Sequence, residues 1–131
     1  MRRVAVLLAA ALLPTLAHAQ APCPSRLFVS GFFSTVHVFD ACTGAYLRDL
    51  DGHEHLNGAM AVRLGPDRRL YAVSEETATI LRYRNDTLAW DGAFLNLPLG
   101  SGPTGLAFDA AGNAWVGLFD ADMVRRYAPD G

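Results

Sequence analysis

Gly102 to Gly131 reads GPTGLAFDAAGNAWVGLFDADMVRRYAPDG, and Gly58 to Thr87 reads GAMAVRLGPDRRLYAVSEETATILRYRNDT. Laid one beneath the other, the two stretches run in parallel without a gap at an offset of 44 residues, from Gly58 to Gly102. Val62 meets Leu106, Leu64 meets Phe108, Tyr71 meets Trp115, Ile80 meets Val124, and Arg82-Tyr83 meets Arg126-Tyr127. Few residues are identical, yet the apolar positions and the turn residues coincide. A fixed period of about 20 to 50 residues marks an array of copied supersecondary units.

Working outward from this pair, each apolar run is short, rich in β-branched and aromatic residues, and bounded by turn formers. Arg26 to Ser30 (RLFVS) and Val36 to Asp40 (VHVFD) predict a hairpin across Gly31-Phe32-Phe33-Ser34-Thr35, and Ala45 to Leu50 predicts a third strand. The next unit gives Ala59 to Leu64, a type I turn at Gly65-Pro66-Asp67-Arg68, then Arg69 to Ser74, Thr79 to Arg84, and Leu88 to Leu95 with a bulge at Asp91-Gly92. The last unit gives Thr104 to Phe108, Ala114 to Gly117 and Met123 to Tyr127. Beyond the first residues of the chain no stretch has a 3.6-residue apolar period, so an all-β fold follows. Four short strands in each 40 to 45 residues or so form an antiparallel four-stranded sheet, the blade of a β-propeller.

LFVSGFFSTVHVFDACTGAYLRDL and LNGAMAVRLGPDRRLYAVSEETATILRYR resemble the NHL-type repeat and, more broadly, the six-bladed propellers of the gluconolactonase and senescence-marker type. Gly102-Pro103-Thr104-Gly105-Leu106-Ala107-Phe108 matches the opening strand of that pattern; Gly58 to Leu64 departs from it, with Ala59 for the proline and Ala61 for the second glycine. The resemblance covers about residues 26 to 131 and implies fold more than activity, since propellers host unrelated functions.

Arg2-Arg3, the apolar run Val4 to Leu13, and Ala17-His18-Ala19 have the form of a secretory leader over residues 1–19, cleaved before Gln20. The apolar run is shorter than the roughly 20 residues a bilayer span needs. A secreted or periplasmic location follows, with no membrane association after cleavage. Residues 20–131 are then one partial propeller, with units at about 26–57, 58–101 and 102–131. The formal net charge of −2 argues against nucleic acid as a partner.

Cys23 and Cys42 are the two cysteines, and an oxidising compartment permits their pairing. A hairpin turning between Phe32 and Phe33 sets Leu27 opposite Val38, Val29 opposite Val36 and Cys23 opposite Cys42, close enough for a disulfide. Two separate buried thiols are the alternative.

Among chemistry-bearing residues, His53-Glu54-His55 is the most metal-like cluster, because alternate residues of an extended loop point the same way. One loop falls short of the three or four ligands of a zinc site. Glu75-Glu76 and Asp120 with Asp122 occupy equivalent loops of two units, where carboxylates from neighbouring blades could converge on a hard divalent cation; solvated turn carboxylates are the plainer account. Gly100-Ser101-Gly102-Pro103-Thr104-Gly105 is a G-x-G-x-x-G, but a strand follows it rather than the helix a dinucleotide site needs. Asn85-Asp86-Thr87 has the form of a glycosylation sequon.

The residues thus point to an exported propeller-type binding or scaffold module with no catalytic group and no obligatory cofactor. The alternative, implied by the resemblance, is a metal-dependent hydrolase or lyase of the gluconolactonase-like class, with His53, Glu54, His55, Glu75 and Asp120 as candidate ligands. The first unit lacks an innermost strand and the third an outermost one. About three blades of an incomplete ring therefore leave two faces bearing Leu64, Tyr71, Phe108 and Trp115 open to self-association or to the rest of a longer propeller.

Overall fold

The computed structural model describes residues 24–131 apart from Ser34 and His53, so the leader at 1–19, Cys23 and His53 lie outside the described residues. Among the described residues there are ten strands and no helix: β1 (Arg26–Ser30), β2 (Val36–Asp40), β3 (Tyr46–Asp49), β4 (Ala59–Leu64), β5 (Leu70–Ser74), β6 (Thr79–Tyr83), β7 (Trp90–Asn96), β8 (Pro103–Phe108), β9 (Ala114–Leu118) and β10 (Met123–Tyr127). They form three antiparallel sheets in chain order: sheet I (β1-β2-β3), sheet II (β4-β5-β6-β7) and sheet III (β8-β9-β10).

The sheets stack face to face, and the pleat of the middle one decides what goes where. Successive side chains of a strand point to opposite faces, so in sheet II Leu70, Ala72, Leu81 and Tyr83 turn toward sheet I, where they meet Val36, Val38 and Leu50. Tyr71, Val73 and Ile80 turn the other way and meet Leu106, Ala114, Val116 and Leu118 of sheet III. Every residue of β5 is buried as a result. Fully burying each Val, Leu or Ile contributes roughly 1.5 to 3 kcal/mol, which makes sheet II the part of the molecule on which the other two depend. The hydroxyl of Tyr71 donates to Asp67 at 2.9 Å, and its ring meets Phe94 and Phe108 edge-on or tilted at 5.1 and 4.9 Å.

Tyr71 and Phe108 therefore do not lie on an open face, as their apolar character suggested; alternation along β5 and β8 sends both into the contact between sheets II and III. Leu64 and Trp115 are the two of that set left largely exposed. A second correction concerns the first hairpin. Leu27 pairs with Phe39 and Val29 with His37, one residue away from the expected register. The connection has five residues and so turns about Phe33, closed by the Gly31 amide on the Thr35 carbonyl at 2.9 Å. Cys23 lies outside the described residues, so this register does not extend to the expected pairing of Cys23 with Cys42. The third strand is also shorter than expected, Tyr46–Asp49.

The 44-residue copy extends to individual hydrogen bonds. The Glu75 amide donates to the Gly58 carbonyl at 3.0 Å and the Phe119 amide to Gly102 at 2.7 Å; the Ala78 amide donates to Glu75 at 3.0 Å and the Asp122 amide to Phe119 at 3.2 Å. Gly58 and Gly102 both take a positive φ, 68° and 56°, which glycine adopts without strain. At the opposite ends of the strands, the Arg68 and Gly112 amides close equivalent turns on Gly65 and Asp109, both at 3.0 Å. The bulge at Asp91-Gly92 sets two residues against one on β6, and Asp91 meets Arg69 Nε at 2.7 Å and Arg82 Nε at 3.2 Å.

One turn supplies a pH test. The Asp109 carboxylate accepts from the Asn113 side chain and amide, from Trp115 Nε1 at 3.1 Å and from the Ala111 amide. Asn113 first and Trp115 second hold its pKa down to about 2 from 3.8. A depressed carboxylate adds stability above its unfolded value and loses it as pH falls toward the folded one. The fluorescence of Trp115, in a Trp90→Phe background, is expected to titrate with a midpoint near 2, and the transition should vanish in Asp109→Asn. A midpoint near 3.8 would show that these bonds do not form in solution.

Candidate functional site

The connections β1–β2, β5–β6 and β9–β10, together with the inter-sheet loops 51–58 and 97–102, all leave the same ends of their strands. They carry Asp51, Glu54, Glu75, Glu76, Asp120 and Asp122 and no arginine. Loop 51–58 is the best fixed of them. Ser74 Oγ accepts the Asn57 amide at 2.8 Å and lies 2.8 and 2.7 Å from the carbonyls of His55 and Asn57, to one of which it donates. Thr77 Oγ1 donates to the His55 carbonyl at 2.7 Å and stands 2.7 Å from the hydroxyls of both Ser74 and Thr79. The His55 ring stacks on Trp90 with centroids 6.4 Å apart.

This geometry places four of the candidate ligands, His53 lying outside the described residues. His55 uses its carbonyl to hold the loop and its ring to pack on Trp90. Glu54, exposed, sits at the loop's turn with a φ of 64°. Glu75 lies beside Gly58, and Asp120 packs against Gly102. Burial first, then the negative charges of Asp120 and Glu76, raise the Glu75 pKa above its ordinary value. Two carboxylate loops of neighbouring sheets thus sense each other, while among the described residues no three of His, Cys, Asp and Glu stand close enough together to hold a metal ion. No cysteine is free among the described residues; Cys42 sits in a turn where its amide donates to Asp40 Oδ1 at 2.9 Å. The hydroxyls of Ser74, Thr77 and Thr79 were not singled out by sequence reasoning.

No protein-family model and no curated protein matches the sequence. Among solved structures the chain is similar to the crystal structure of the WD40 beta propeller domain of Doa1, with a TM-score of 0.65 and 18% identity over 79% of this chain and 33% of that one. The fold is a partial β-propeller. The chain spans about a third of the length of that structure, and its three sheets are three adjacent blades.

Seen as blades, the two outermost faces acquire a meaning from the repeat. Tyr71 and Ile80 of blade II, 3% and 0% exposed, are covered by blade III; their counterparts Trp115 and Val124 on blade III are 42% and 65% exposed. Arg126 lies over the Trp115 ring at 5.9 Å. On blade I the opposite face presents Leu27, Val29 and Phe39, with His37 paired to Asp49. Like the faces buried on either side of blade II, these two faces carry aliphatic and aromatic side chains.

Proposed function

We propose that this chain is an exported propeller module that acts by binding through its loops, and that it works within a larger ring whose further blades, from a longer polypeptide or a second copy, cover blades I and III. The observation that supports it most directly is the exposure of Trp115 and Val124 at positions that blade II buries. Large apolar patches of this kind mark contact surfaces, and loops held on a rigid scaffold are where propellers and other folds place recognition. The leader at 1–19 and a Cys23–Cys42 disulfide belong to the same proposal, since both need an oxidising, exported setting.

Purified protein from a secreting host tests all of this. Intact mass is expected to show cleavage before Gln20 and an oxidised cysteine pair. Light scattering is expected to show association, as a discrete dimer for a half-ring or as polydisperse material for a part of a longer propeller; a monodisperse monomer that melts cooperatively would sink the larger ring. Stoichiometric divalent metal, lost in His53→Ala and His55→Ala, would replace binding with a metal-dependent hydrolase or lyase of the gluconolactonase-like class.

A further inference from the structure

Blade I is one strand short on its inner side among the described residues. In blades II and III the strand that follows the inter-blade loop, β4 or β8, forms the sheet edge beside β5 or β9. It begins eleven residues ahead of its partner, Ala59 before Leu70 and Pro103 before Ala114. β1 stands where β5 and β9 stand, packed toward the inner strand of the next blade, and its inner edge pairs with no described residue.

A groove of about 540 Å³ lies along that edge, lined by Leu27 and Phe28 on one side and by Val62, Leu64 and Leu70 on the other. Leu27 and Leu64, 52% and 56% exposed, leave much of its wall apolar and open. Two side chains tie β1 to blade II. Ser30 Oγ donates to the Met60 carbonyl at 2.9 Å beyond the groove's lining. Within the lining, the Arg26 guanidinium donates to the carbonyls of Asn85 at 3.0 Å and Asp86 at 3.1 Å.

A strand edge that no described residue pairs, beside a groove with apolar walls at Leu27, Val62 and Leu64, is an arrangement that accepts an added strand: backbone hydrogen bonds supply affinity, and pockets for alternate side chains supply selectivity. We propose that β1 takes up, in trans and antiparallel, an extended peptide with the repeat's own inner-strand pattern. That pattern is a small residue at the third position, an aliphatic one at the fourth and Leu or Phe at the sixth, as in Ala59–Leu64 (AMAVRL) and Pro103–Phe108 (PTGLAF). The inference rests on the leader removal proposed above, which takes from the chain most of the stretch standing eleven residues ahead of β1.

The test uses secreted protein whose start at Gln20 has been verified by mass, titrated with a fluorescent synthetic peptide of the sequence SGPTGLAFD. Saturable one-to-one binding, a Tm raised by several degrees, and a tenfold or greater loss of affinity in Leu64→Asp are expected. Val124→Asp, on the far face of blade III, should bind the peptide as the parent does. Each variant is melted alongside to show that it is folded. No saturable binding, equal binding of a scrambled peptide, or equal loss in Val124→Asp would overturn the proposal. The mass and light-scattering results report separately on the leader and on the larger ring.

Discussion

Leu81→Ala and Ile80→Ala are each expected to lower the unfolding free energy by about 2 to 5 kcal/mol, the usual cost of truncating a fully buried aliphatic side chain. Both residues are completely buried on the same strand, yet they face opposite ways. Leu81 packs among Val36, Val38 and Leu70, and Ile80 among Val73, Val116 and Leu118. Hydrogen exchange will therefore separate them: Leu81→Ala should speed exchange in β1 and β2, and Ile80→Ala in β8 and β9. The two side chains belong to separate clusters, so the double variant should lose more than either single variant, and any departure from the sum of the two measures the coupling through their shared strand. Identical exchange patterns for the two variants would mean that the blades do not pack on separate faces of blade II.

The second large effect is expected at Ser74. Its hydroxyl is buried, accepts the Asn57 amide and faces the His55 and Asn57 carbonyls. Ser74→Ala leaves a part-buried amide and carbonyl without that partner, which costs about 1 to 3 kcal/mol. The loss should be local before it is global. Amides of 54–58 should exchange at least tenfold faster while β9 is unchanged. Thr77→Val should show the same pattern more weakly, since Thr79 also approaches the His55 carbonyl, at 3.4 Å. Unchanged exchange in this loop would show that packing on Trp90 alone secures it.

How much of this was legible in the sequence follows from the range of each contact. The strands were legible because alternation and turn chemistry are local: the Asp91-Gly92 bulge and the Gly65 to Arg68 turn stand where the residues predicted them. The register of the first hairpin was one residue off because Gly31 to Thr35 holds no residue that fixes a two-residue turn, and an odd loop moves every pairing. Tyr71 and Phe108 were placed on an open face because periodicity tells which side chains share a face but not which face is covered. The pinning of loop 51–58 could not be read at all. It joins residues 17 to 24 positions apart through hydroxyls that in a strand end have no distinguishing signature.

The hydrogen bond that ties the first glycine of the second and third units to the turn after the unit's second strand, Gly58 to Glu75 and Gly102 to Phe119, begins and ends inside one unit. A gene segment encoding such a unit thus carries both halves of its own clasp. Tandem duplication of that segment adds a blade without orphaning a donor in the parent or requiring a matching change elsewhere. Growth by unequal crossing-over is mechanically cheap in such a chain, and the number of blades can change between descendants faster than the blade itself.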